Sequence, residues 1–174
     1  MKLSLVVPCF NEQDNVQPFY EAVENAFHGI VRDYEIVFVN DGSTDKTAEN
    51  LKVLYNYHQS KVQVLTFSRN FGKEAAIYAG LSHAKGDLVC IIDADLQQRP
   101  EIALQMVRIL EETPELDCVA AFQEDRKESA VLSWFKSMFY KVINAMTTVP
   151  FTNGASDFRT FRTNVRDAIL QMGD

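Results

Sequence analysis

Two carboxylates two residues apart, Asp93 and Asp95, follow the apolar run Leu88–Ile92. Like charges this close repel unless a cation or a neutral partner lies between them. Hard oxygen ligands suit Mg²⁺ or Mn²⁺. Mg²⁺ in particular is commonly held by one or two carboxylates and completed by substrate phosphates. Asp93, Asp95 and Gln97, which adds a neutral oxygen, are the candidate metal ligands, with Ala94 between the two aspartates. The competing reading is that the two aspartates only cap a turn or helix, which would suffice for an isolated pair.

The pair is not isolated. Three other polar stretches each follow an apolar run: Pro8-Cys9-Phe10-Asn11-Glu12, Asn40-Asp41-Gly42-Ser43-Thr44-Asp45, and Ser68-Arg69-Asn70-Phe71-Gly72-Lys73. Asp41 precedes its turn and suits hydrogen bonding to a ribose or a base N–H. Ser43, Thr44 and Asp45 suit turn formation and helix capping. Glu12 fits either a first helical turn, near the favourable end of the dipole, or a ligand contact. Arg69, Asn70 and Lys73 precede or open a helix, where a cation opposes the macrodipole. An anion or a neighbouring loop is therefore their expected partner. No G-x-G-x-x-G and no G-x-x-x-x-G-K-[ST] occurs, which argues against a dinucleotide fingerprint and a Walker-type phosphate cradle.

The elements that must position these loops alternate. Apolar runs at Leu3–Cys9, Tyr34–Val39, Val62–Phe67, Asp87–Ile92 and Cys118–Phe122 read as strands. Helical patterns run from about Asn15 to Phe27, Thr44 to Tyr57, Gly72 to Ala84 and Pro100 to Glu112, the last with proline suited to a first turn. Such alternation predicts βαβ units: an α/β, Rossmann-like fold with a mainly parallel central sheet and helices on both faces. Ligands then bind beyond the carboxyl ends of the strands, where all four polar loops gather. Beyond Phe122 the pattern changes. An aromatic-rich helix is expected over Leu132–Met146, a loop over Pro150–Ser156, a short strand over Phe158–Arg162 and a last helix over Asn164–Met172.

The 174 residues fit one domain, 1–174, with a single core. The formal charge of −7, with no long basic run, excludes nucleic acid as an expected partner. An acidic chain that handles an anionic substrate needs a cation to offset repulsion. Cys9, Cys90 and Cys118 form no C-x-x-C pair and read as buried, reduced thiols. Pro8 and Asn11-Glu12 cut the first apolar run too short for a signal peptide. Nothing approaches the roughly 20 apolar residues of a membrane span. The chain is thus expected to be soluble as it stands. It stops just after a helical pattern and reads as the N-terminal part of something longer.

Five segments, taken together, resemble the family 2 glycosyltransferases of the GT-A fold, and most nearly the dolichyl- or undecaprenyl-phosphate sugar transferases. They are VVPCFNE (Val6–Glu12), FVNDGSTDKT (Phe38–Thr47), SRNFGKEAAIYAGL (Ser68–Leu81), GDLVCIIDADLQQRPE (Gly86–Glu101) and SDFRTFRTNV (Ser156–Val165). The resemblance implies that Pro8, Phe10, Glu12 and Asp41 line the nucleotide, while Asp93, Ala94, Asp95 and Gln97 meet the metal and diphosphate. It implies catalytic roles for Asp95, for Arg126 near an acceptor phosphate, and for the acid Asp157. One departure is Asn40, where the family often has a second aspartate. The implied reaction is inverting transfer from a nucleotide-diphosphate sugar, UDP favoured over GDP, to a polyprenyl phosphate. The full-length protein is expected at the cytoplasmic face of a membrane with C-terminal membrane helices, and homo-oligomers are left open. Lys136 and Ser137 match the lipid-phosphate segment loosely. The helix bearing Trp134, Phe135, Phe139 and Tyr140 is either core or a membrane-surface helix.

Two alternatives remain beside this one. A sugar-hydroxyl acceptor on a glycan would require Asp157 as general base, and a non-catalytic nucleotide-sugar-binding module would need no acceptor site. A phosphoryl-accepting switch domain is disfavoured, because the acids follow the second and fourth strands.

Overall fold

The computed structural model describes residues 1–31, 33–122 and 155–172. Arg126, Lys136, Ser137 and the expected aromatic helix lie outside the described residues. Six strands form one sheet: β1 (Leu3–Cys9), β2 (Tyr34–Asn40), β3 (Val62–Thr66), β4 (Leu88–Ile91), β5 (Cys118–Phe122) and β6 (Ala155–Arg162). Their order is β3-β2-β1-β4-β6-β5. The first four are parallel, and β6 runs antiparallel to both β4 and β5. The helices are α1 (Val16–Phe27), α2 (Thr47–Tyr57), α3 (Lys73–His83), α4 (Pro100–Glu112) and α5 (Thr163–Gln171).

Strand alternation divides the core in two. Leu3, Leu5, Val7 and Cys9 of β1 pack with Ile36 and Phe38 of β2 and Leu88 and Cys90 of β4 under α1, α2 and α4. Val6, Val89, Ile91 and Phe161 face the other way, toward Leu81 of α3 and the partly buried Val165 and Ile169 of α5. Both faces of the sheet are covered, so the inner strands read as unbroken apolar runs. Helix α3 lies close on the sheet at Gly80, where an added Cβ would come within 2.3 Å of Val6 Cγ1.

The structure corrects three expectations. Helix α2 begins at Thr47 and not at Thr44, because Ser43 and Thr44 are hydrogen-bonded to the neighbouring loop. Strand β6 begins at Ala155, within the expected loop, because pairing with β5 reaches that far. Cys118 is exposed while Cys9 and Cys90 are buried; β5 is one of the two edge strands and has no neighbour on its outer side among the described residues.

Candidate active site

The loops after β1, β2 and β4 and the start of α3 enclose a cavity of about 330 Å³ at the carboxyl edge of the parallel strands. Pro8, Phe10, Glu12, Asp41, Asn70, Lys73, Asp93 and Asp95 all line it. The carboxyl-edge rule therefore brings together residues up to 87 positions apart, Pro8 to Asp95.

The first two loops are laced to each other. Asn11 N–H donates to Ser43 Oγ (3.0 Å), Thr44 N–H to Asn11 Oδ1 (2.9 Å), Gln13 N–H to Asp45 Oδ2 (3.2 Å) and Glu12 N–H to Thr47 Oγ1 (2.8 Å). Asn11 reaches this position with a left-handed backbone, φ +57°, a conformation asparagine tolerates better than most residues. Ser43 and Thr44 thus secure the β1 loop and do not cap α2, whereas Asp45, one residue before the Lys46 N-cap, accepts from Thr47 N–H at 2.9 Å. Asn40 Oδ1 accepts from Ser43 N–H (3.0 Å). The departure from aspartate here supplies a turn with a neutral acceptor.

Asp41 is 3 % exposed. Its Oδ1 accepts from Phe71 N–H (2.7 Å) and its Oδ2 from Gly72 N–H (3.0 Å). Both carboxylate oxygens, expected to be available to a ribose or base, therefore fasten the loop that leads into α3. The adjoining Gly42 has φ +63°, and a Cβ there would meet the Arg69 carbonyl carbon at 2.2 Å. Only glycine allows that approach. Asp41 and Gly42 act as one clamp on residues 69–72.

The clamp delivers Lys73, the first residue of α3. Its Nζ lies 2.8 Å from Asp93 Oδ1, 3.0 Å from Asp93 Oδ2 and 3.3 Å from Asp157 Oδ2. Burial alone would lower the pKa of Lys73, but hydrogen bonds and charge from Asp93 and then Asp157 outweigh it and hold the pKa above the usual lysine value. Asp157 is exposed and also lies 3.8 Å from Arg159 Nη2. The antiparallel register pairs Ile91 with Arg159; carried two residues further, it sets Asp157 opposite Asp93.

Gln98, which the sequence did not single out, grips Asp93. Its Nε2 donates to Asp93 Oδ2 (3.0 Å) and its Oε1 accepts from Asp93 N–H (2.9 Å). Gln97, the expected third ligand, is exposed and absent from the cavity lining, and its backbone N–H donates to Asp95 Oδ1 (3.0 Å). Leu96 between them has φ +63°, which costs a non-glycine residue roughly 1–2 kcal/mol. Cys9 also lines the cavity. Burial pushes its thiol pKa well up, and the charges of Glu12 and Asp93 add to this.

Among the described residues no group of three or more His, Cys, Asp or Glu is gathered for a metal ion. Asp93 and Asp95 nevertheless fit a hard divalent cation of the kind that two carboxylates hold and phosphate oxygens complete. A site with its own full ligand set would leave no room for that phosphate. Asp95 has one oxygen engaged by the Gln97 N–H, and both aspartates face the cavity.

Residues 4–170 match Glycosyl transferase family 2, and the chain belongs to that family. Two relatives are close in sequence. The bactoprenol glucosyl transferase of Shigella phage SfV is 38% identical over 97% of this chain and 54% of its own. The undecaprenyl-phosphate 4-deoxy-4-formamido-L-arabinose transferase of Proteus mirabilis is 34% identical over 98% and 52%. The chain thus spans about half the length of these relatives. Its fold is that of solved GT-A enzymes. A mannosyltransferase from Pyrobaculum calidifontis in complex with GDP-Man and Mn²⁺ superposes with a TM-score of 0.69 at 20% identity, covering 96% of this chain and 46% of that one. Glucosyl-3-phosphoglycerate synthase from Mycobacterium tuberculosis, in complex with Mn²⁺, UDP and glucosyl-3-phosphoglycerate, gives 0.65 at 19% identity, covering 94% and 57%.

Proposed function

We propose that this chain is the donor-binding and catalytic unit of an inverting glycosyltransferase that moves a sugar from a nucleotide-diphosphate donor, UDP favoured over GDP, to a polyprenyl phosphate. The single observation that carries the proposal is the cavity lined at once by Pro8, Phe10, Glu12, Asp41, Asp93 and Asp95. Its volume, about 330 Å³, lies within the usual range for small-molecule sites. The two relatives act on lipid carriers of this class by name.

Phe10, 44 % exposed at the rim, offers a ring face for the base. Asp41 lines the cavity and also holds the loop 69–72 at its wall. Asp93 and Asp95 would hold Mg²⁺ or Mn²⁺, which when bound would neutralise charge on the departing nucleoside diphosphate. Gln98 and Lys73 fix the Asp93 carboxylate so that it is oriented before the donor arrives. A phosphate acceptor is already an anion near neutral pH and needs orientation more than proton removal. Asp157, at the rim beside Lys73 and Arg159, has the position to organise that side of the site, and Arg126 is assigned the acceptor phosphate by family resemblance. Activity at the cytoplasmic face of a membrane belongs to the same proposal. No helix among the described residues is long and apolar enough to cross one.

Thermal unfolding with UDP or GDP, each with and without Mn²⁺, tests the donor site. A ligand at 100 times its Kd adds about 2.7 kcal/mol, which is several degrees for a domain of this size. A Mn²⁺-dependent shift with one nucleotide, lost in Asp95→Ala, is expected. No shift with any combination would defeat the donor reading. Transfer assays with undecaprenyl phosphate on the full-length protein separate an enzyme from a binding module. There, Asp157→Asn is expected to reduce turnover modestly. A loss near 10⁴-fold, the upper range for removing a general base, would favour a hydroxyl acceptor.

A further inference from the structure

Lys73 is the one cation among the described residues that line the cavity, against four acids: Glu12, Asp41, Asp93 and Asp95. It opens a helix, where the macrodipole disfavours a positive charge. It stays there because its backbone follows directly on the loop held by Asp41, and its ammonium spans both oxygens of Asp93 while touching Asp157. The lysine therefore occupies the carboxylate that the metal reading assigns to a divalent ion, and a second carboxylate lies within reach of the same ammonium.

We propose that Lys73 is an exchangeable counter-cation: it neutralises Asp93 in the metal-free protein, and a divalent ion entering between Asp93 and Asp95 shifts it onto Asp157. The inference rests on the metal reading above. A dication bound to either oxygen of Asp93 would lie within a few ångströms of Nζ, and two cations that close repel strongly in a partly buried site. Moving the ammonium to Asp157 relieves the repulsion without leaving the lysine unpaired. Asp157 then tunes metal occupancy without being a ligand, and Lys73 is a positioning residue that keeps the donor pocket from holding two bare carboxylates when empty.

The test is a Mn²⁺ titration at saturating UDP, followed by thermal unfolding, on the parent, K73M and D157N. K73M removes the competing charge, so half-maximal stabilisation is expected at a Mn²⁺ concentration at least about threefold lower. D157N removes the alternative seat for the lysine, so its Mn²⁺ requirement is expected to rise. An unchanged or raised requirement in K73M overturns the exchange. Should K73M fail to fold, D157N decides alone, and an unchanged or lowered requirement overturns it. A parent with no Mn²⁺ dependence defeats the metal reading and this inference with it. A parent that responds to Mn²⁺ while K73M responds identically defeats only the exchange.

Discussion

The sheet carries a hydrogen-bonded carboxylate at each end, and the two are built for different purposes. At the amino edge of the parallel strands, Glu35 of β2 is 3 % exposed and saturated. Its Oε1 accepts from Ser4 Oγ (2.6 Å) and Lys85 N–H (2.6 Å), and its Oε2 from Lys2 Nζ (2.7 Å) and Gln63 Nε2 (3.0 Å). Ser4 Oγ in turn accepts from Gly86 N–H. Those contacts tie the chain start, β2, β3 and the entry to β4 into one knot. At the carboxyl edge, Asp93 accepts from Lys73 at both oxygens and from Gln98 at Oδ2, yet it lines the cavity. A saturated carboxylate cements strands. One that lines a cavity, kept oriented by partly exposed partners, can take a ligand.

Mutations should separate the two ends. The largest effect is expected for Glu35→Ala, about 3 kcal/mol of stability in urea unfolding, because it strands several buried donors and one cation. The same residue makes stability pH-dependent. Burial alone would raise the pKa of Glu35, but hydrogen bonds from Lys2, Ser4 and the Lys85 N–H outweigh it and hold the pKa below the usual glutamate value. Its stabilisation is therefore complete above the unfolded value of about 4.3 and is lost as pH falls through the lower folded value. The stability gap between the parent and Glu35→Gln should narrow on acidification below pH 4; a gap that widened would contradict the assignment.

Asp41→Asn comes next, at about 1–2 kcal/mol, since an amide oxygen can replace only one of the two acceptors offered to Phe71 and Gly72. Weaker nucleotide binding should accompany it, because Asp41 both lines the cavity and holds the loop 69–72 beside it. Asp93→Asn should change stability by less than about 1 kcal/mol, as its ion pair is partly solvated, yet abolish any Mn²⁺-dependent shift with UDP. Equal destabilisation by Glu35→Ala and Asp93→Asn would erase the contrast between the ends. The smallest effect is expected for Leu96→Gly, a stability change within about 1 kcal/mol, because relief of the left-handed strain is offset by greater freedom of the unfolded chain.

Much of the fold was legible because inner strands buried on both faces must be apolar. The runs Leu3–Cys9 and Leu88–Ile92 therefore announced themselves. The site was legible as far as it lies just past such runs. Misreadings arose where a polar side chain had two plausible partners. Ser43 and Thr44 are good caps by type, yet the loop after β1 competes for them. The same ambiguity hid Gln98: of two chemically identical neighbours, it is Gln98 whose side chain bonds the Asp93 carboxylate. Cys118 sits in an apolar run, but an edge position leaves it exposed.

By itself the sequence determined the α/β alternation, the gathering of the polar loops at one edge, and the pair Asp93 and Asp95 at the end of its strand. These follow from local periodicity and from the fixed polarity of parallel strands. Only the tertiary structure decided that β6 returns antiparallel beside β4. That register sets Asp157 across from Asp93 and lets Lys73 reach both. No local pattern encodes it, because the partners lie 64 residues apart and their pairing is fixed by burial of Phe158 and Phe161 on opposite faces of the sheet.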